Sequence, residues 1–485
     1  MGLPAGVTLR SAHGRGVLLA LVTASGTAFL DSSVVTVALP AMARQLGGGL
    51  TTMQWVVDAY LLTLGSFLLL GGSLGDLLGR RRVFLVGLVA FGAASVLCAV
   101  APSASTLVAA RAVQGVAAAL LVPGSLAIIA AVFDPRERTR AIGLWGGLSG
   151  LFTMLGPFVG GLLVDAGPAG WRWVFLLNLP ILVVSYVATV RYVPALPGSR
   201  APGSVLDQLD VVGGVLAVVG LGLLAAGLIE TPRIGVAAGA AVASAGGLVL
   251  VAFWWWERRC ERRAAAGARR APMMPPSLFA VATFTVANLV TLLVYGPIGG
   301  MTLILTLQLI LGLGWSALAA GAAGVPITIT LALLSGRVGS LVPRFGARPF
   351  LVTGPVLMTV GQVLLAGVSP GDSYLTGVLP GILTFALGLV MVVAPVTSTA
   401  LGDVPLDRVG TASGVNNTTA RVAQLVAVAA LPVAAGLSSG SPEGGSTAAF
   451  EAGYARAMLI SAGVCLLGAL VALALPRPTG RSVSR

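Results

Sequence analysis

Long apolar runs separated by short polar turns decide the class of this chain before any motif is read. They lie at 17–40, 53–72, 83–102, 105–133, 141–164 and 173–193, then at 210–230 and 234–256. Six more follow at 278–309, 315–335, 349–369, 374–400, 410–435 and 455–475. A bilayer core ~30 Å thick is crossed by about 20 apolar residues at 1.5 Å per helical residue, so each run is long enough to span. Hydrocarbon offers no partner to a backbone amide, so a crossing run must satisfy its own amides as an α-helix. Composition agrees, with 56% hydrophobic and 9% charged residues, whereas a soluble domain carries about 25% charge. The expected fold class is therefore all-α integral membrane, two six-helix bundles plus two inserted helices, fourteen crossings in all. The first run is too long for a signal-peptide core and has no evident cleavage site, so it reads as a retained span.

A net charge of +13 would fit a nucleic-acid partner if the charge were gathered on one face. It is not. Every basic residue is an arginine, and most stand in clusters between spans, as in Arg80–Arg82, Arg136 to Arg140 and Arg258 to Arg270. With both termini cytoplasmic, only Arg44, Arg172, Arg233 and Arg456 fall on the outer side, which is the positive-inside pattern. All eight tryptophans lie near expected span ends, where the amphipathic ring prefers the headgroup level. The chain divides into a cytoplasmic tail at 1–16, a six-helix bundle at 17–193, and a linker with two inserted helices at 194–256. A basic cytoplasmic linker at 257–277, a second six-helix bundle at 278–475 and a cytoplasmic tail at 476–485 complete it. The Gly- and Ser-rich stretch 436–453 reads as a flexible outer loop.

Cys98, Cys260 and Cys465 are far apart, and His13 is the only histidine, so neither a metal nor a catalytic residue is expected. No phosphate-binding Gly-rich loop of the type ending in Gly-Lys-Ser/Thr occurs. An intramembrane enzyme or a sensor remains as a remote alternative, without a candidate dyad.

Ionisable groups within spans cost roughly 2.5–3.5 kcal/mol on insertion scales, so each needs a reason. Asp31 lies mid-way along the first run, Asp58 about two turns inside the second, Arg111 in the fourth and Arg421 in the thirteenth. Asp31 reads either as a proton or cation site or as half of a fixed ion pair, with Arg111 as its partner. Burial raises a carboxyl pKa and a nearby arginine lowers it, so a movable partner makes protonation sensitive to conformation. Asp58 is an auxiliary acid or a hydrated group near the outer interface. The second bundle has no mid-span carboxylate, and Gln114, Asn288, Gln308, Asn416, Asn417 and Arg421 are the candidates to line a substrate cavity.

Gly72-x3-Asp76-x2-Gly79-Arg80-Arg81 recurs as Gly339-x3-Pro343-x2-Gly346-Ala347-Arg348, each copy following the second span of its bundle. Parallel halves of this kind, with a site between them near the midplane, suit alternating access. Glycines let two helices approach closely, Asp76 accepts hydrogen bonds or pairs with arginine, and the arginines hold the loop at the anionic leaflet.

The loop from Gly72 to Arg82 resembles the signature of the major facilitator superfamily. Phe29-Leu-Asp31-Ser-Ser-Val-Val-Thr-Val-Ala-Leu-Pro40 and Arg111-Ala-Val-Gln114-Gly115 resemble its fourteen-helix drug:proton antiporters. Gly156-Pro157-Phe-Val-Gly160-Gly161 is similar to their antiporter motif, with Phe152 in place of its leading glycine. Trp171 to Pro180, Asp207-x2-Asp210-x2-Gly213 and Gly410-x3-Gly414-Val-Asn416-Asn417 extend the likeness over most of the chain. The resemblance implies a major facilitator fold in the cytoplasmic membrane and proton-coupled export of small amphipathic drugs or secondary metabolites. Export of one specific metabolite is the alternative. It implies the lipid bilayer, protons and a small-molecule substrate as partners, a proton gradient in place of a cofactor, and no nucleic acid.

Overall fold

A computed structural model describes residues 7–198, 209–267, 270, 272–405, 408–437 and 447–476. Asp207, residues 438–446 of the expected outer loop and the last tail residues lie outside the described residues, and 447–453, expected in that loop, are already helical. Every regular element described is helical, apart from one isolated bridge between Val7 and Phe133 that ties the N-terminal segment to the end of the fourth long helix.

The helices are α1 (Ala12–Leu46), α2 (Leu50–Leu78), α3 (Arg80–Ala99), α4 (Ala104–Val132), α5 (Arg138–Asp165), α6 (Gly170–Leu176), α7 (Asn178–Tyr192), α8 (Val211–Ile229) and α9 (Val236–Ala265). They continue with α10 (Ala282–Leu307), α11 (Ala317–Ala323), α12 (Val325–Phe345), α13 (Arg348–Ala366), α14 (Leu379–Gly402), α15 (Val409–Ala434) and α16 (Thr447–Ala472). Thirteen helical stretches among the described residues are long and apolar enough to cross a membrane. The fourteenth expected crossing is α15, 26 residues long, whose Asn416, Asn417, Thr418, Thr419, Arg421 and Gln424 make it more polar than its neighbours.

Local chemistry sets the ends. Ser11 caps α1 by accepting from the amide of Gly14, so that helix starts at Ala12, ahead of the expected Val17. Ser103 and Thr106 close a capping box at the start of α4. Between α2 and α3 the chain turns at Gly79, whose φ of 97° belongs to the left-handed region that favours glycine. A Cβ at Gly79 would also lie 2.7 Å from the carbonyl oxygen of Leu196, so the segment after α7 straps the turn. The expected crossing at 173–193 is two helices meeting at Leu177–Asn178. That at 278–309 runs unbroken through Gly296-Pro297 as α10 and ends in a π-turn at Gln308–Gly312. The basic linker begins as helix, because α9 continues through Arg258–Arg263.

The molecule divides into two compact units. The first comprises Met1–Met274 and Gly314–Ala322 among its described residues, and the second Pro275–Leu313, Ala323–Leu437 and the described part of Gly445–Arg485. In the first, α1 packs against α5 and α7, α4 lies between α2 and α3, and α8 with α9 sits beside α2. In the second, α10 packs on α15 and α16, and α13 on α14 and α16.

Candidate functional site

The first unit gathers four helices around one buried charge. Asp31 of α1 is fully buried and Arg111 of α4 is 1% exposed, and the Arg111 Nη1 is ion-paired with the Asp31 Oδ2. Gln114, one turn beyond Arg111 on the same face of α4, donates from Nε2 to the Asp31 Oδ1 at 2.9 Å. Asn178, the first residue of α7, donates from Nδ2 to the same oxygen at 2.8 Å. Ser95 of α3 accepts from both amides, at 3.0 and 3.2 Å. Arg111 is held in turn: its Nε donates to the Val56 carbonyl of α2 at 3.1 Å, and its Nη1 to the Gln114 Oε1 at 2.7 Å. The guanidinium also lies 4.3 Å from the Tyr60 ring centroid, over a face that attracts cations. An ion pair taken out of water loses hydration worth several kcal/mol per ion, which only close geometry and further hydrogen bonds offset. This cage supplies both.

Chemically, the arrangement pairs a carboxylate with a cation away from water. A proton on Asp31 cancels the charge that holds Arg111, leaving the guanidinium with Val56, Gln114 and the Tyr60 ring. Asp58 of α2 stands two residues from both Val56 and Tyr60. It is fully buried and not at an exposed interfacial position, and neither carboxylate oxygen has a hydrogen-bond partner among the described residues.

Behind Asp31, α5 lies directly against α1. A Cβ at Gly156 would lie 3.1 Å from the Leu30 carbonyl oxygen, and one at Gly160 would lie 2.6 Å from a Val34 methyl. Gly161 meets the backbone of Ala317 and Leu318 in the same way. Phe152, in place of the motif's leading glycine, is accommodated by Gly26 of α1, where a Cβ would lie 2.6 Å from its ring. Asp165 at the end of α5 accepts from the amides of Ala317 and Leu318, at 3.2 and 2.9 Å.

In the signature loop, Asp76 pairs with Arg80 at 3.0 Å, one helical turn away, and both groups are partly exposed. Arg80 also donates to the Ala127 carbonyl of α4 at 2.9 Å, and Arg81 to the Val190 carbonyl of α7 at 2.8 Å. The loop arginines thus tie α3 to two other helices of its unit. Gly72 is roomier, since a Cβ there would lie 3.8 Å from Pro123.

The polar candidates of the second unit do not form one cluster. Asn416 donates to the Asn288 Oδ1 at 3.2 Å and to Thr291 at 3.0 Å, joining α15 to α10. Asn417, about 100° further round α15, is exposed and donates back to the Ser413 carbonyl. Arg421 reaches the Gln424 Oε1 at 3.3 Å. Gln308 is buried at the π-turn, about 30 Å along α10 from Asn288 at 1.5 Å per residue. Among the described residues no group of three or more His, Cys, Asp or Glu side chains is arranged to hold a metal ion.

Three side chains of the first-unit cage are not among the expected site residues, Ser95, Asn178 and Tyr60. Asn178 lies in the Trp171–Pro180 match, and the break at Leu177 aims its side chain inward. Ser95 carries no comparable signal.

An all-helical, multi-pass membrane protein with a buried ion pair in its first unit is what these features define. The chain belongs to the Major Facilitator Superfamily, whose family profile matches residues 21–428. It is similar to a probable actinorhodin transporter of Streptomyces coelicolor, 38% identical over 410 residues that cover 83% of this chain and 69% of that one. It is also similar to the methylenomycin A resistance protein of the same species, 34% identical over 469 residues, 96% of this chain and 93% of that one. A solved bacterial homologue of the human lysosomal transporter Spinster shares the fold, with a TM-score of 0.66 over 95% of this chain and 96% of that one at 16% identity.

Proposed function

We propose that this protein exports small amphipathic molecules, drugs or secondary metabolites, across the cytoplasmic membrane in exchange for protons, both termini facing the cytoplasm. The observation that carries the reading is the Asp31–Arg111 pair, a carboxylate and a cation desolvated together inside a span. Asp31 is the proton acceptor in this mechanism, Arg111 its movable counter-charge and Asp58 an auxiliary acid. Proton entry at Asp31 frees Arg111, proton loss recaptures it, and α1 feels the difference where α5 packs behind it. A membrane potential contributes about 2.3 kcal/mol per charge per 100 mV, and that energy reaches the substrate only if protonation and occupancy are linked. Kinship with proteins named for actinorhodin transport and methylenomycin A resistance supports the substrate class.

The test is uptake of fluorescent amphipathic cations and of polyketide dyes into proteoliposomes under an imposed pH gradient. Uphill accumulation that collapses with a protonophore, and is absent in Asp31→Asn while substrate binding persists, is the expected result. Full uphill transport in Asp31→Asn refutes the assignment of the coupling residue. Accumulation of a single compound alone favours a dedicated metabolite exporter, and none at any gradient refutes the exporter reading.

A further inference from the structure

We propose that Asp210 and Glu257 form a proton-binding site outside the Asp31 cage, one proton held between them fastening α8 to α9. Asp210 caps α8, and its Oδ1 accepts from the Gly213 amide at 3.0 Å and from Trp256 Nε1 at 2.8 Å. Glu257 of α9 is fully buried, and its Oε2 accepts from the Met274 amide at 2.9 Å. The other oxygen of each, Asp210 Oδ2 and Glu257 Oε1, is buried with no partner. These two oxygens meet at one place: a Cβ on Gly213 would lie 2.6 Å from the first and 2.7 Å from the second.

Two carboxylates this close and this dry cannot both be ionised. While both are charged, each offers only acceptors to the other. One proton makes a donor of one and leaves an acceptor on the other, and the two orphan oxygens then satisfy each other. Among the described residues no cation fills that role. Arg258, Arg259, Arg262 and Arg263 are exposed on α9, with Arg258 and Arg259 against Trp254 and Trp255, while Arg263 and Arg270 act on the Cys260 thiol. From α2 the nearest groups are Leu69 and Leu70, packed with Ala217, Phe253 and Met273, and the carboxylate of Asp76 is engaged by Arg80. Among the described residues, the groups facing the pair are each other, the Trp256 indole, the backbone amides and the Cys260 thiol one turn on.

The site joins the ends of two helices. Met274 is the last residue of the first unit's N-terminal stretch, and its amide is held by Glu257. Loss of the shared proton sets two negative charges against one another and parts α8 from α9 beside Cys260, while the Met274 amide stays on Glu257, since an ionised carboxylate accepts more strongly. Cytoplasmic acidity favours the fastened form and alkalinity the parted one.

Cys260, buried beside the pair at 4% exposure, is a native reporter. In protein carrying Cys98→Ser and Cys465→Ser, alkylation of Cys260 by a maleimide would be measured against pH and divided by the rate for the same protein in denaturing detergent. The normalised rate is expected to climb about tenfold per pH unit below its midpoint, as the deprotonated fraction does. Glu257→Gln donates permanently to the Asp210 Oδ2 and should give a flat, protected profile, as should Asp210→Asn. Below about pH 8, where thiol ionisation cancels in the ratio, a protein retaining only Cys98, whose thiol is remote from the pair, should show no such rise. A flat wild-type profile overturns the proposal whatever the variants do, and so does a wild-type slope retained in Glu257→Gln or Asp210→Asn.

Discussion

Breaking the Asp31–Arg111 pair from either side should destabilise the first unit by similar amounts, and breaking it from both sides should do little more. Removing one partner of a buried pair costs about 3–5 kcal/mol, because the other charge is left without compensation. In Asp31→Asn the Oδ1 still accepts from Gln114 and Asn178, and Arg111 keeps Val56, Gln114 and the Tyr60 face, which places this variant near the lower bound. In Arg111→Gln the Asp31 carboxylate keeps two amide donors, so about 3 kcal/mol is again expected. The double variant leaves no orphaned charge, and a coupling of about 2–3 kcal/mol follows for residues in direct contact. At roughly 2 °C per kcal/mol for a unit of this size, each single variant should melt about 6 °C lower and the double variant at most about 8 °C lower. Cys98 donates to Gln114 at 3.6 Å and is buried, so a thiol-reactive dye in protein retaining only Cys98 reads melting of the cage. Cys465 in α16 reads the second unit, and its transition should stay where it is. Strictly additive losses, near 12 °C for the double variant on the same scale, would show that the two side chains do not sense each other.

Gly160→Leu should reduce transport by tenfold or more while leaving membrane insertion intact, because the added side chain meets Val34 behind Asp31; uptake rates per inserted protein decide it. Asp76→Asn, which removes the pair with Arg80 at a partly exposed position, should change melting by less than about 1 kcal/mol yet slow transport, and an unchanged rate would leave Asp76 a turn residue. Arg262→Cys in a cysteine-free background should label with an impermeant maleimide in everted vesicles and not in intact cells, since that side chain is exposed on the cytoplasmic end expected for α9.

The crossings were legible because hydrocarbon leaves a chain one local choice, and the runs that make it can be counted. Asp31 and Arg111 were legible for the same reason, as charges standing where apolar residues belong. Ser95 and Asn178 were not: neutral polar residues are common in spans, and although Pro180 cannot donate to the Leu176 carbonyl, that gap does not say which way Asn178 faces. Sequence also assigns a residue type without a helix face, which is why Asn416 and Asn417, adjacent in the chain, have different partners. The closeness of Asp210 and Glu257 depends on how α8 and α9 pair, a contact between residues 47 positions apart that no local pattern encodes.

The fit of Phe152 into the space left by Gly26 bears on how related chains can be recombined. The two helices settle who gives up volume jointly, so the crossing survives with the glycine on either partner. A chimera that imports an α5 with glycine at 152 would inherit a ring-sized void beside Trp145 unless α1 were exchanged with it. Across relatives, the sizes at positions 26 and 152 should vary inversely, each telling less alone than the two together.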